Sequence, residues 1–105
     1  MTNQELKLLM LQHAQSIKTQ KSFAEEIGYS VGKVNYVLKK LIEKGLIKAE
    51  RFINSENKAH YKYLLTEKGL HEKITLTRTF IEIKKNEYEK LQRELEIDIA
   101  KVQEQ

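Results

Sequence analysis

The sequence predicts a mainly α fold with a small β-hairpin: a winged helix-turn-helix followed by a long C-terminal helix. Three observations carry this expectation. Residues 20–37, QKSFAEEIGYSVGKVNYV, contain two apolar helical periods broken at a glycine. Two short strand-like runs follow, with a turn-rich segment between them. Beyond Gly69 nothing breaks a helix, and apolar residues recur every seven positions.

A first helix is expected from residue 3 to about residue 16. Thr2 or Asn3 can cap it, and Leu6, Leu9, Met10 and Ile17 supply an apolar face at helical spacing. A second short helix, residues 20–27, has Thr19 as its cap and Phe23, Ala24 and Ile27 as its apolar side. Gly28 then sits where the chain must turn sharply. Ser30 can cap a third helix running to about residue 44, where Gly45 stops it. Its expected buried face is Val31, Val34, Val37, Leu38 and Leu41.

Residues 46–53 and 59–65 read as strands. Asn54-Ser55-Glu56-Asn57-Lys58 between them is rich in turn formers, which predicts a hairpin. Tyr61, Tyr63 and Leu65 alternate onto one face. A hairpin this short is marginal alone, so it must pack on the helices. Thr66 can cap the final helix. The expected division is a DNA-binding domain over residues 1–69 and a dimerisation helix over residues 70–105.

Along that last helix, Ile74, Ile81, Tyr88, Leu95 and Val102 keep a seven-residue spacing, with Leu91 beside them as in a coiled-coil seam. Thr77, Lys84 and Asp98 interrupt the companion positions, so an ideal two-stranded zipper is not expected. Leu76, Phe80, Ile83, Ile97 and Ile99 widen the apolar surface. The stripe is too long for one face of so small a domain to cover, which favours a second copy as partner.

With 19 Lys/Arg against 15 Asp/Glu, the net charge is +4. Residues 1–65 hold 11 basic and 6 acidic side chains, and residues 66–105 hold 8 and 9. The positive charge thus belongs to the half with the helix-turn-helix pattern, as a polyanion partner would require. No apolar run approaches the roughly 18 residues of a membrane span, and the N-terminal stretch lacks the form of a signal peptide. There is no cysteine, hence no disulfide framework or thiolate metal site. His13, His60 and His71 are scattered without metal-ligand spacing, and no G-x-S-x-G, Walker or H-E-x-x-H motif occurs. No catalytic residue, metal or cofactor is expected, and the expected compartment is the cytoplasm.

The outward residues of the third helix are small, basic or hydrogen-bonding, as a helix laid in the major groove of double-stranded DNA needs. Asn35 can pair with an adenine edge, Lys33 can donate to guanine or phosphate, and Tyr36 can stack on sugar or bond phosphate. Gly32 lowers helix propensity by about 1 kcal/mol but permits close backbone approach. Lys39 and Lys40 suit either phosphate contact or a solvated face. At the hairpin tip, Asn57 and Lys58 suit either a minor groove or phosphate, or a plain solvated turn.

The run GYSVGKVNYVLKKLIEKGLIKAERFINSENKAHYKYLLTEKG resembles MarR-type winged helix-turn-helix transcriptional regulators. It is most similar to the subgroup described as EPS-associated MarR-like regulators, named for extracellular polysaccharide loci. The resemblance implies a bacterial cytoplasmic DNA-binding homodimer. Carried over by position, it makes Ser30, Lys33, Asn35 and Tyr36 recognition contacts and Lys58 a wing contact. The chain departs from larger members by lacking an extended N-terminal dimerisation helix and an acidic-Arg wing signature. Those departures leave dimer geometry, effector and minor-groove arginine insertion open. The competing expectation is a winged-helix protein-interaction module assembling through its C-terminal helix.

Overall fold

A computed structural model describes residues 2–104. The element order is α1 (Asn3–His13), a 3-10 turn (Ala14–Ser16), α2 (Gln20–Ile27), α3 (Val31–Glu43), β1 (Ile47–Ile53), β2 (Ala59–Leu65) and α4 (Glu67–Gln103). The first helix is therefore shorter than the sequence suggests. Its final turn tightens into the 3-10 geometry, and Ile17 leaves the helix in an extended conformation. Thr2 rather than Asn3 caps α1, through a reciprocal capping box with Glu5.

Each boundary around α2 and α3 has a local cause. Thr19 Oγ1 accepts the Ser22 N–H at 3.0 Å, which opens α2. Gly28 closes it in the left-handed region at φ 72°, and the Tyr29 N–H returns to the Ala24 carbonyl at 2.8 Å. Ser30 Oγ then accepts the Lys33 N–H at 3.2 Å and opens α3. Gly45, at φ 73°, closes α3 in the same way, with the Leu46 N–H on the Leu41 carbonyl at 2.9 Å.

The chain divides into two compact units, residues 1–75 and 76–105. The core of the first is built from Leu6, Met10, Leu11, Ala14 and Ile17, from Phe23 and Ala24 of α2, and from Val34, Val37, Leu38 and Leu41 of α3. Leu46, Ile47 and Tyr63 close it from the hairpin side. Val31, expected on the buried face, is 43% exposed, because it occupies the first position of α3 at the end of the helix. Among the described residues no polar or charged residue is buried.

The strands pair antiparallel in one register, Ile47 with Leu65 through Ile53 with Ala59. One face carries Tyr61, Tyr63 and Leu65. Only the base of that face is covered: Tyr63 is buried, whereas Tyr61, two residues nearer the tip, is exposed.

The first unit includes the opening turns of α4. Thr66 Oγ1 donates to the Gly45 carbonyl at 2.6 Å and accepts the Gly69 N–H at 2.9 Å. Lys68 Nζ donates to the Lys44 carbonyl at 2.8 Å, and Lys7 Nζ pairs with Glu72 Oε1 at 2.9 Å. Gly69 is buried, and a Cβ there would collide with the Leu46 carbonyl oxygen.

The second unit is the remainder of α4. The helix has 37 residues in all, about 55 Å at 1.5 Å per residue. Ile81, Tyr88, Leu91, Leu95 and Val102 are all more than half exposed, and Ile83, Ile97 and Ile99 are exposed as well. A seven-residue step turns an α-helix by about −20°, so the four steps from Ile74 to Val102 keep the stripe within about 80°.

Candidate nucleic-acid interface

The exposed surface of α3 is where the predicted contact residues gather. Gly32, Tyr36, Lys39 and Lys40 are exposed, and Ser30 caps the helix beside them. Lys33 and Asn35, predicted as outward residues, are half-buried. The ammonium groups of Lys33 and Lys40 each lie 5.8 Å from the centre of the Tyr36 ring. At exposed sites such contacts contribute about 0.5–1 kcal/mol, enough to bias the ring and both cations into one cluster. Gly32 has open space where a Cβ would stand.

The wing turn is organised by Asn54, which the sequence marks only as one of several turn formers. Asn54 Oδ1 accepts the N–H groups of Glu56 at 3.1 Å and Lys58 at 3.0 Å. Its backbone N–H donates to the Lys58 carbonyl at 3.0 Å, and its carbonyl accepts from Asn57 at the same distance. With Oδ1 so engaged, the amide nitrogen faces His60 Nε2, 2.8 Å away. The amide can donate to that nitrogen in the imidazole tautomer that carries its proton on Nδ1. The His60 ring also stacks on Phe52, with centroids 5.8 Å apart. Asn57 takes φ 60°, a left-handed value asparagine tolerates, and Lys58 pairs loosely with Glu56 at 3.6 Å. The signal that could have identified Asn54 was an asparagine opening a turn.

The sites fall into three places. Ser30, Gly32, Lys33, Asn35, Tyr36, Lys39 and Lys40 share α3 and its cap; Asn57 and Lys58 share the hairpin tip; the apolar stripe lies on α4. Among the described residues no group of His, Asp or Glu could hold a metal ion, and no helix is long and apolar enough to cross a membrane.

Residues 10–48 match the family model described as winged helix-turn-helix DNA-binding. The fold is a winged helix-turn-helix. The match runs from the middle of α1 through α2 and α3 into β1, so it contains the whole predicted recognition helix. Among solved structures the chain is similar to a point mutant of S. aureus MepR bound to an oligodeoxyribonucleotide. That likeness has a TM-score of 0.58 at 21% identity, and covers 96% of this chain and 78% of the other. At this identity it speaks for the fold. No curated protein matches the chain in sequence.

Proposed function

We propose that the chain is a DNA-binding transcriptional regulator that acts as a homodimer and carries out no catalysis. The observation that carries this reading is the exposed face of α3, where Lys33, Tyr36 and Lys40 cluster beside an open Gly32. The family description matched over residues 10–48 supports it, as does the DNA-bound state of the MepR neighbour, a MarR-family regulator. Residues 1–69 serve as the DNA-binding domain and residues 70–105 as the dimerisation helix. In each protomer α3 enters the major groove, with Asn35 reading base edges and Lys33 donating to guanine or to phosphate. Asn57 and Lys58 of the wing rest on the backbone or in the minor groove. The two recognition helices meet half-sites about 34 Å apart.

The exposed stripe of α4 supports the dimer. Tyr88, Leu91, Leu95 and Val102 are 60–71% exposed, and such a continuous apolar row on a soluble helix calls for a partner helix. The compartment is the cytoplasm, and the resemblance in sequence directs the search for target genes to exopolysaccharide loci.

The test is selection of bound duplexes from a random pool, then titration of the selected site with Lys33→Ala and Asn35→Ala. Each substitution weakens binding by about 1–3 kcal/mol if its side chain reads a base. Unchanged affinity in both folded variants would remove the recognition-helix assignment. Sedimentation of Leu95→Asp reports on the dimer: the mass falls to that of a monomer, and an unchanged mass counts against the stripe. A chain with no affinity for any duplex, yet retaining a protein through α4, would be an interaction module instead.

A further inference from the structure

Beside α3 lies a basic groove that joins two of the predicted contacts, Tyr36 and Lys40, to residues of α1 and to Lys44, which the predicted contacts do not include. A concave site of about 420 Å³ is lined by Asn3, Gln4 and Lys7 of α1 and by Tyr36, Lys40 and Lys44 on the flank of α3. We infer that this groove holds phosphates of the DNA strand bordering the major groove, so that α1 is part of the interface. The inference rests on the DNA-binding reading proposed above.

The position of the groove follows from helix geometry. Lys33, Lys40 and Lys44 recur at seven and four residues, so they form one row along α3. Tyr36 lies between that row and the outermost surface. An α-helix with its side chains is about 10–12 Å across, and the major groove is about 12 Å wide. A helix lying there therefore presents its crown to the bases and its flanks to the two phosphate strands. The Lys40–Lys44 flank is the one that borders α1.

The charges in the groove favour a polyanion. Lys7 is held by Glu72 at 2.9 Å, and Lys40 lies 3.5 Å from Glu43. Among the described residues no carboxylate pairs with the Lys44 ammonium. Lys68 adds a further cation at the Lys44 carbonyl. Asn3 and Gln4 contribute side-chain amides, which can donate to phosphate oxygens without competing for bases. Such contacts position a protein on DNA and carry no sequence information of their own.

The test compares Lys44→Gln and Gln4→Glu with the recognition variant Asn35→Ala. Each protein is titrated with the selected duplex and with a scrambled duplex over a series of salt concentrations. Lys44→Gln should weaken binding about eightfold per lost contact at about 0.1 M salt, equally on both duplexes, and flatten the salt slope by about 0.9. Gln4→Glu should also weaken binding to both, while its melting temperature holds or rises, because an acidic residue suits the first turn of a helix. Asn35→Ala should instead narrow the gap between the two duplexes. If both groove variants bind as the wild type does while Asn35→Ala fails, the groove is not an interface although the protein reads DNA. A loss confined to the selected duplex would also overturn the inference, because it would make Lys44 a base contact. A wild type without affinity for either duplex would overturn the DNA-binding reading itself.

Discussion

Gly32 and Gly69 occupy the same position class and should respond to alanine with opposite signs. Both lie in the first turn of a helix, α3 and α4 respectively, and neither needs a positive φ. Around Gly32 nothing lies within 4 Å of where a Cβ would stand. Gly32→Ala should therefore stabilise by up to about 1 kcal/mol through helix propensity alone. At Gly69 the added carbon meets the Leu46 carbonyl oxygen and lies 2.7 Å from Leu65 Cδ1. The Leu46 oxygen is backbone, and it already accepts the Thr66 N–H at 3.2 Å, so it cannot swing aside. Relieving the clash must shift α4 away from the start of β1. Overpacking of this kind costs about 1–3 kcal/mol, and a disturbed Thr66 cap about 1 kcal/mol more. Propensity offsets at most about 1 kcal/mol, leaving a net loss of about 1–3 kcal/mol.

For a unit of this size each kcal/mol moves the melting temperature by about 4–8 °C. Thermal unfolding followed by circular dichroism at one fixed protein concentration should resolve the two variants, since the proposed dimerisation would make melting concentration-dependent. Gly69→Ala should melt several degrees below the wild type and Gly32→Ala at or above it. A Gly69→Ala protein as stable as the wild type would refute the close approach of α4 to Leu46.

Two further substitutions probe the frame of the interface. Ser30→Ala removes the acceptor for the Lys33 N–H and should lower stability by about 1 kcal/mol in a urea titration, with an unchanged m-value. Asn54→Ala should cost about 1–2 kcal/mol and speed hydrogen exchange at the Glu56 and Lys58 amides, which lose their shared acceptor. Exchange rates at those two amides that stay at wild-type values would show that the wing turn does not depend on Asn54.

The parts of the fold governed by local chemistry were legible in the sequence. Thr19, Gly28, Ser30 and Gly45 act where their side chains or conformational freedom predict, because capping and left-handed turns depend on neighbours a few residues away. The hairpin followed from the turn formers at Asn54 to Lys58. What escaped was long-range. Gly69 reads as a weak point in a helix, and only the position of Leu46, 23 residues earlier, makes it a close-approach residue. Periodicity placed Lys33 and Asn35 on the outward side of α3 but could not show that they are half-buried, since that depends on the neighbouring elements. Lys7, Lys44, Asn3 and Gln4 were invisible as a group because α1 and α3 are far apart in the chain.

The end of α3 and the start of α4 meet at a single junction, and its bonding explains why the glycine is required. The carbonyls of Lys44, Gly45 and Leu46 are successive groups released by the end of α3. They accept, in turn, from Lys68 Nζ, Thr66 Oγ1 and the Thr66 N–H. The left-handed Gly45 turns these carbonyls toward α4, and the absent Cβ of Gly69 lets the first turn of α4 approach them. The end of α3 is thus tied to the first turn of α4 through three backbone acceptors, met by two side-chain donors and one backbone donor. If α3 reads DNA as proposed, a substitution at Gly69 should change DNA affinity, measured by titration of a selected duplex, although Gly69 lies outside the proposed contacts.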